Sequence, residues 1–136
     1  MEELRQARVL RQKTIWEMLN VLTIAASASE LSSNLDLIEA VHLALTVECT
    51  YHSSATAGIT VYVYTSTDQK NWDTDELTSF SPSFTAGASV RKTVFIDPDA
   101  DTIRCKVTNG DGTYTVSNVR IRATVTKEEV SFHEGK

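Results

Sequence analysis

Side chains that could perform catalysis or bind a metal ion are few in this sequence, and their spacing matches no known reactive arrangement. The histidines are His42, His52 and His133, and none has a histidine four residues away or a cysteine at zinc-site spacing. The sequence also lacks the G-x-S-x-G nucleophile motif, a phosphate-binding glycine loop and a C-x-x-C pair. We therefore predict that the chain is not an enzyme and that it uses no cofactor.

Three aspartates close together form the one candidate metal site. Asp97, Asp99 and Asp101 alternate with Pro98 and Ala100, and carboxylate oxygens are ligands that Ca²⁺ prefers. An EF-hand loop would also need a glycine after the third aspartate and a glutamate at its twelfth position, and neither is present. Proline and aspartate are equally typical of a turn that closes a strand. The segment is interpreted as a turn, with calcium binding as the alternative.

The two cysteines, Cys49 and Cys105, both fall on predicted inward faces of strands. Their separation is similar to that of the inter-sheet cysteine pair of immunoglobulin domains, but Ile103 stands where those domains have a corner tyrosine. The first residues do not form a secretory signal. We therefore expect buried free thiols rather than a disulfide.

The most distinctive polar segment runs from residue 66 to residue 74 and contains Asp68, Asn71, Trp72 and Asp73. Turns of the form S-x-D-x-x-x-W occur in many β-sandwich modules, some of which bind sugars. An exposed tryptophan is a suitable platform for a sugar ring. The structural alternative is that Trp72 covers the open end of a sandwich.

Composition limits the classes of protein to which the chain can belong. The chain has 136 residues, of which 41% are hydrophobic and 23% are charged, and these values indicate one soluble globular domain. The formal net charge of −5 gives no general positive field for nucleic acid or acidic membranes. No apolar run reaches the roughly 20 residues that a membrane-spanning helix requires.

Residues 1–21 are predicted to form an amphipathic α-helix that acts as an assembly arm. At 100° per residue, an apolar stripe contains Leu4, Ala7, Ile15, Met18 and Leu22. Val9 and Trp16 lie nearly opposite this stripe, which favours a helix that contacts two surfaces, one of them on another chain. The alternatives are packing on its own domain and binding to a membrane surface. The predicted interface residues are Arg5, Arg8, Val9, Arg11, Lys13 and Trp16.

Residues 22–126 show the period-two alternation of β-strands. The predicted fold is therefore mainly β, an antiparallel β-sandwich of jelly-roll or immunoglobulin-like type preceded by the helix. Residues 127–136 are predicted to be a polar tail, and the segment from Asn109 to Gly112 a hairpin turn. The predicted inward side chains are Leu43, Leu45, Val47, Ile59, Val61, Val63, Ile103, Val107, Val119 and Ile121.

Several segments together resemble small virion proteins of tailed bacteriophages. The resemblance covers roughly residues 22–126 and rests on four segments: residues 35–37 before a long strand, Val-Tyr-Val-Tyr at 61–64, the turn at 66–74, and Ile-Arg-Cys-Lys-Val-Thr-Asn-Gly-Asp at 103–111. This sequence has Gln69 where the usual turn has a glycine.

The resemblance implies a β-sandwich building block of the particle, of the capsid decoration, neck or baseplate type. It implies a location in the virion after synthesis in the host cytoplasm, and other virion proteins (capsid, portal or tail) as partners. A homo-oligomer is expected, without direct binding to nucleic acid and without a membrane span. The alternative is a carbohydrate- or receptor-binding module that uses the loop around Trp72.

Overall fold

The structure, a computed structural model, describes the backbone of residues 4–135 and the side chains of residues 9–129. Over the described residues the chain forms nine β-strands and no helix. They are β1 (Leu4–Ile24), β2 (Ser29–Leu31), β3 (Leu35–Asp36), β4 (Ala40–Thr50), β5 (Ile59–Ser66), β6 (Thr78–Phe80), β7 (Ser89–Ile96), β8 (Thr102–Asn109) and β9 (Val116–Gly135).

The strands form two antiparallel sheets. The first sheet has the order β1-β9-β4-β7, and the second has the order β2-β8-β5-β6, with β3 also paired to β8. If β2 and β3 are counted as one strand, the first strand pairs with the last, the second with the next to last, and so on inward. This nested pairing across two sheets is the jelly-roll topology.

The core lies between the two sheets and is built from alternate residues of the long strands. All ten side chains predicted to point inward are at most 1% exposed, so this prediction is confirmed. The residues that alternate with them in sequence, such as Thr60 and Arg122, lie on the outer faces of the sheets. The β-branched residues that dominate these positions suit the pleated surface of a sheet.

The prediction of an N-terminal α-helix is wrong. Residues 4–24 form β1, which pairs antiparallel with β9 from Leu4↔Gly135 to Ile24↔Val116. Leucine, arginine, glutamine and lysine are good helix formers, but intrinsic propensity is weak and tertiary context overrides it. Here β9 is fixed on one edge by β4 and offers its other edge to β1. The apolar stripe counted at helical spacing is therefore distributed over both faces of a strand.

The segment expected to be a polar tail continues β9 as far as Gly135. Pairing between β9 and β4 ends at Ala40↔Lys127. Beyond that point β1 and β9 pair with no further strand among residues 4–135, and residues 4–11 and 128–135 form a two-stranded ribbon. Strands of this kind rise about 3.3 Å per residue, so the ribbon is roughly 25 Å long.

The segment from Asn109 to Gly112 is not a hairpin turn, because it connects β8 in the second sheet to β9 in the first. The Asn109 side-chain amide donates to the carbonyl oxygens of Ile24, Ala25 and Tyr114 at 3.0–3.3 Å. Gly110 lies close to the backbone of Gly58, because a Cβ atom at residue 110 would be 2.8 Å from the carbonyl oxygen of Gly58. The turn residues that suggested a hairpin thus permit a tight crossing between sheets.

Candidate assembly surface and a second polar face

β1 is an edge strand, and the outer edge of its N-terminal part carries no strand among the described residues. The register of β1 against β9 shifts between Glu17 and Leu19. At this bulge the Met18 carbonyl accepts hydrogen bonds from the backbone N–H and the hydroxyl of Ser33, at 2.9 and 3.0 Å. The loop after β2 therefore covers the edge at Met18. We call residues 4–17 the free edge of β1.

The free edge carries large apolar side chains in contact with solvent. Val9 is 53% exposed, Leu10 46%, Ile15 68% and Trp16 52%. Beyond the bulge, Leu19 is 7% exposed and packs in the core, although Leu22 is 77% exposed. The free edge therefore has the apolar character of a contact surface, while the rest of β1 belongs to the sandwich.

The apolar side chains of the free edge lie on both faces of the first sheet. Trp16 is paired with Ala123, whose side chain is fully buried. Directly paired residues share a face, so the side chain of Trp16 leaves the strand on the core-facing side of the sheet. It stays exposed at the rim of the sandwich. Ile15 is paired with Thr124 and lies on the outer face.

The outer face next to Ile15 contains a second exposed apolar group. Thr124 pairs with Ala44, which in turn pairs with Phe95, the side chain of which is 84% exposed. These four paired residues form a row across the first sheet, with apolar Ile15 on one edge strand and apolar Phe95 on the other. A shallow cavity of about 250 Å³ lies beside the row and is lined by Lys13, His42, Leu43, Ala44, Phe95, Thr124 and Thr126.

Charged side chains of β1 are paired with β9. Arg11 Nε donates to Glu128 Oε1 at 2.6 Å, and Arg120 donates through Nε and Nη2 to Glu17 Oε1 at 2.9 and 2.8 Å. Of the predicted interface residues, Val9, Arg11, Lys13 and Trp16 all lie exposed on the free edge. The side chains of Arg5 and Arg8 lie outside the described residues.

The turn at residues 66–74 uses its polar groups internally. Asp68 Oδ1 accepts from the backbone N–H of Lys70 and Asn71 at 2.9 and 2.8 Å, and Oδ2 accepts from the Asn71 amide at 2.9 Å. The backbone N–H of Asn71, with that of Lys70, holds the pKa of Asp68 well below its usual range. Gln69 has a φ of 62°, the left-handed conformation that favours the glycine it replaces. Asp73 accepts from the Thr65 hydroxyl at 2.9 Å.

Trp72 is half-buried and packs on the outer face of the second sheet. The Arg104 guanidinium lies 4.3 Å from the centre of its ring. On the same face, Lys106 Nζ lies 5.4 and 5.8 Å from the ring centres of Tyr62 and Tyr64. The turn places Trp72 over a strand residue, rather than displaying it as an isolated platform.

The sequence reasoning missed this cluster of cations and aromatic rings. Tyr62 is paired with Lys106, and Tyr64 with Arg104, so all four side chains share one face. The alternation of tyrosines at 62 and 64 with buried valines was the signal that could have revealed it. Neither cation has a carboxylate partner among residues 9–129, and Arg104 Nε has no hydrogen-bond acceptor there. In the first sheet, by contrast, glutamates pair with Arg11, Arg91, Arg120 and Arg122.

The calcium candidates lie in the connection between β7 and β8. Asp97 Oδ1 accepts from the backbone N–H of Asp99 at 3.1 Å, and the Asp101 carbonyl accepts from the N–H of Leu37 at 3.0 Å. Within the part of the chain that the structure describes, no three His, Cys, Asp or Glu side chains form a group able to hold a metal ion. Asp97, Asp99 and Asp101 therefore act as turn residues in this geometry.

Cys49 lies in β4 and Cys105 in β8, and both are buried free thiols. Burial raises the pKa of Cys49 to about 11, an effect partly offset by a hydrogen bond with Tyr51. Burial likewise raises the pKa of Cys105 to about 12. The thiolate is the reactive form of cysteine, so neither residue is suited to nucleophilic chemistry in the folded protein.

No protein-family model and no curated protein matches the sequence. Among solved structures, the chain is similar to dimeric latent PorU from Porphyromonas gingivalis, at 13% identity and a TM-score of 0.45. This match covers 94% of the chain but only 13% of PorU. The chain is also similar to the K1 cleaved adhesin domain of Lys-gingipain from Porphyromonas gingivalis W83, at 11% identity and a TM-score of 0.39, covering 95% and 98% of the two chains. A third similarity is to the structure of infectious bursal disease virus Gx strain, at 13% identity and a TM-score of 0.39, covering 94% and 38%.

These likenesses are distant, and the neighbours share with this chain a β-rich architecture. Over residues 4–135 there is no helix of the length and apolar character needed to cross a membrane.

Proposed function

We propose that this chain is a non-enzymatic structural protein of a bacteriophage virion, of the capsid decoration or neck and tail connector type. It assembles through the free edge of β1. The observation that carries the proposal is the free edge itself. Its outer side pairs with no strand among the described residues, and it carries the exposed side chains of Val9, Leu10, Ile15 and Trp16.

An exposed edge with apolar side chains is a liability in a protein that works alone. Such an edge presents unpaired N–H and C=O groups to any other strand, and natural proteins normally shorten or cover it. Here the edge is long, and the ribbon formed by residues 4–11 and 128–135 has only two strands. Two-stranded ribbons are marginally stable in water, so contact with a partner stabilises the observed conformation.

The virion assignment is supported by the resemblance of residues 22–126 to small virion proteins of tailed phages and by the jelly-roll topology, which is frequent in viral capsid and lectin domains. Topology alone does not determine function, and the main support for an assembly role is the free edge of β1. The proposed partners are capsid, portal or tail proteins. A net charge of −5 argues against direct binding to nucleic acid.

The assembly proposal is tested by replacing the most prominent apolar side chain of the free edge. We expect Trp16→Ala to weaken co-sedimentation with particles or with the isolated capsid or portal partner by about tenfold or more, because buried tryptophans dominate interface energies. Phe95→Ala is the matched control, since Phe95 is more exposed than Trp16 but lies on the opposite edge strand. Equal losses for the two variants, or no loss for either, would contradict attachment through the free edge.

A second candidate function is recognition of a carbohydrate or receptor by the outer face of the second sheet. The observation that favours it is the pair of cations, Arg104 and Lys106, which lie on aromatic rings without carboxylate partners among residues 9–129. It ranks second because the polar side chains of the turn, Asp68 and Asp73, are committed to internal hydrogen bonds.

A further inference from the structure

The free edge of β1 carries a charge pattern that is complementary to itself. On the outer face, the odd-numbered positions read Val9, Arg11, Lys13, Ile15 and Glu17. In an antiparallel pair of identical strands related by a two-fold axis, residues at equal distances on either side of the central residue face each other. The position of the axis along the strand therefore decides which charges meet.

We propose that a second copy of this chain adds to the free edge of β1, antiparallel and with Thr14 facing Thr14 of the second copy. In this register Arg11 of each copy faces Glu17 of the other. The proposal rests on the proposed function, because it names a partner for the same edge.

Like charges exclude most other registers centred between residues 11 and 15. An axis at residue 11 places Arg11 against itself, an axis at residue 12 places Arg11 against Lys13, and an axis at residue 13 places Lys13 against itself. Like charges directly opposite each other destabilise a strand pair. Among residues 9–17, whose side chains the structure describes, only axes at Thr14 and at Ile15 place opposite charges together, Arg11 with Glu17 in the first case and Lys13 with Glu17 in the second.

The length of the hydrogen-bonded ladder favours the axis at Thr14. The edge is open only up to Glu17, because Ser33 occupies the carbonyl of Met18 and the strand bulges there. An axis at Thr14 pairs residues 11–17 of both copies, whereas an axis at Ile15 pairs only residues 13–17. The longer ladder satisfies more of the open backbone groups.

The charges already present within each copy support the same register. Arg11 is bound to Glu128, and Glu17 is bound to Arg120. When Arg11 of one copy faces Glu17 of the other, the two ion pairs join into one row of alternating charge. The row runs from Glu128 and Arg11 of one copy to Glu17 and Arg120 of the second copy. On the opposite face, Thr14 meets Thr14 and Gln12 lies beside the exposed ring of Trp16.

Charge reversal tests the register with full-length protein. Arg11→Glu places a second carboxylate opposite Glu17 of the other copy, and Glu17→Arg places a second guanidinium opposite Arg11. Each variant alone should therefore dimerise about tenfold or more weakly than the wild type. When the two variants are mixed, the carboxylates of one variant face the guanidinium groups of the other, and a heterodimer should form. Sedimentation velocity measures the association.

Lys13→Glu is the matched control for these reversals. Lys13 faces Ile15 in the proposed register, so reversing its charge should leave dimerisation nearly unchanged.

The outcomes separate this inference from the proposed function. A monomeric wild-type protein, or variants that do not complement each other, would overturn the dimer. Loss of association in Lys13→Glu, with recovery when it is mixed with Glu17→Arg, would overturn the register in favour of an axis at Ile15. If the chain is monomeric and Trp16 still governs attachment to particles, the inference fails while the proposed function stands.

Discussion

At the scale of single residues, the carboxylate of Asp111 holds two loops together at one end of the sandwich. It accepts from the backbone N–H of Thr113 and Tyr114 at 2.8 Å each, and from that of Thr56 at 2.7 Å and Ala57 at 3.3 Å. The donors at Tyr114 and Thr56 contribute most to holding the pKa of Asp111 well below its usual range. The loop after β4 is thereby fixed to the crossing between β8 and β9.

We expect Asp111 to make the protein less stable in acid. A carboxyl group with a lowered pKa in the folded state stabilises the fold above its unfolded pKa, near 4, and this contribution disappears as the pH falls through the folded pKa. Chemical unfolding of the wild type and of Asp111→Asn at pH 7 and pH 3 measures the effect. The wild type should lose more stability between the two pH values than the variant does. Equal losses would show that the Asp111 carboxylate does not couple folding to pH.

At the scale of single elements, β1 has two parts with different roles. From the bulge onward, Met18, Leu19 and Ile24 pack in the core and are at most 7% exposed, while Leu22 is exposed. Residues 9–17, before the bulge, have exposed side chains on both faces and pair with β9. The same strand is thus part of the domain at one end and a contact surface at the other.

Two substitutions in β1 should distinguish these parts. Leu19→Ala removes buried side-chain volume and is expected to lower the free energy of unfolding by about 2–4 kcal/mol. Ile15→Ala removes an exposed side chain and is expected to change that free energy by less than about 1 kcal/mol. Denaturant titration of the two variants checks this, at protein concentrations low enough to keep both monomeric. A large loss for Ile15→Ala would show that the free edge belongs to the core of the monomer.

The sequence predicts the strands that have one buried face, because burial imposes alternation. Leu43, Leu45 and Val47 in β4 alternate with outer-face residues, and so do Val61 and Val63 in β5, and these positions lie in the core. Residues 9–17 of β1 have no buried face, so their side chains carry no period of two. Its pairing with β9 depends on residues more than 100 positions away, and no local pattern reports such a pairing.

The residues of the candidate site could be predicted in part, but the element that carries them could not. Val9 and Trp16 are predicted from the sequence to be apolar contact residues outside the core of the domain, and both are exposed on the free edge. The element that carries them was predicted wrongly. The face formed by Tyr62, Tyr64 and Arg104 depends on the register between β5 and β8, which becomes visible only once the strands are paired.

At the scale of the whole molecule, the two cysteines report on the integrity of the sandwich. Cys49 belongs to the first sheet and Cys105 to the second, and their side chains are 2% and 0% exposed. Their raised pKa values mean that the thiolate is scarce at neutral pH even when a reagent can approach. Both thiols should therefore become reactive only when the two sheets separate.

We expect a disulfide reagent to modify neither cysteine in the native protein at about pH 8, near the pKa of an unperturbed thiol, and both in denaturant. Reaction rates measured across a denaturant series should follow the unfolding transition, with Cys49 and Cys105 reacting in parallel. Ser83→Cys supplies a positive control, because residue 83 is exposed and lies outside the free edge. Prompt reaction of either native cysteine would indicate local opening of one sheet without global unfolding.

The pairing of Leu4 with Gly135 determines how the molecule responds to mechanical force. If the chain is pulled at these two residues, the load acts on a single residue pair at a time, because the ribbon opens from its tip. Each opened pair lengthens the chain by about 7 Å, and the hydrogen bonds break in sequence rather than together. Extension by this route reaches Arg11 and Glu128 before any strand of the sandwich carries tension. The ribbon therefore yields under small forces while the rest of the domain keeps its shape.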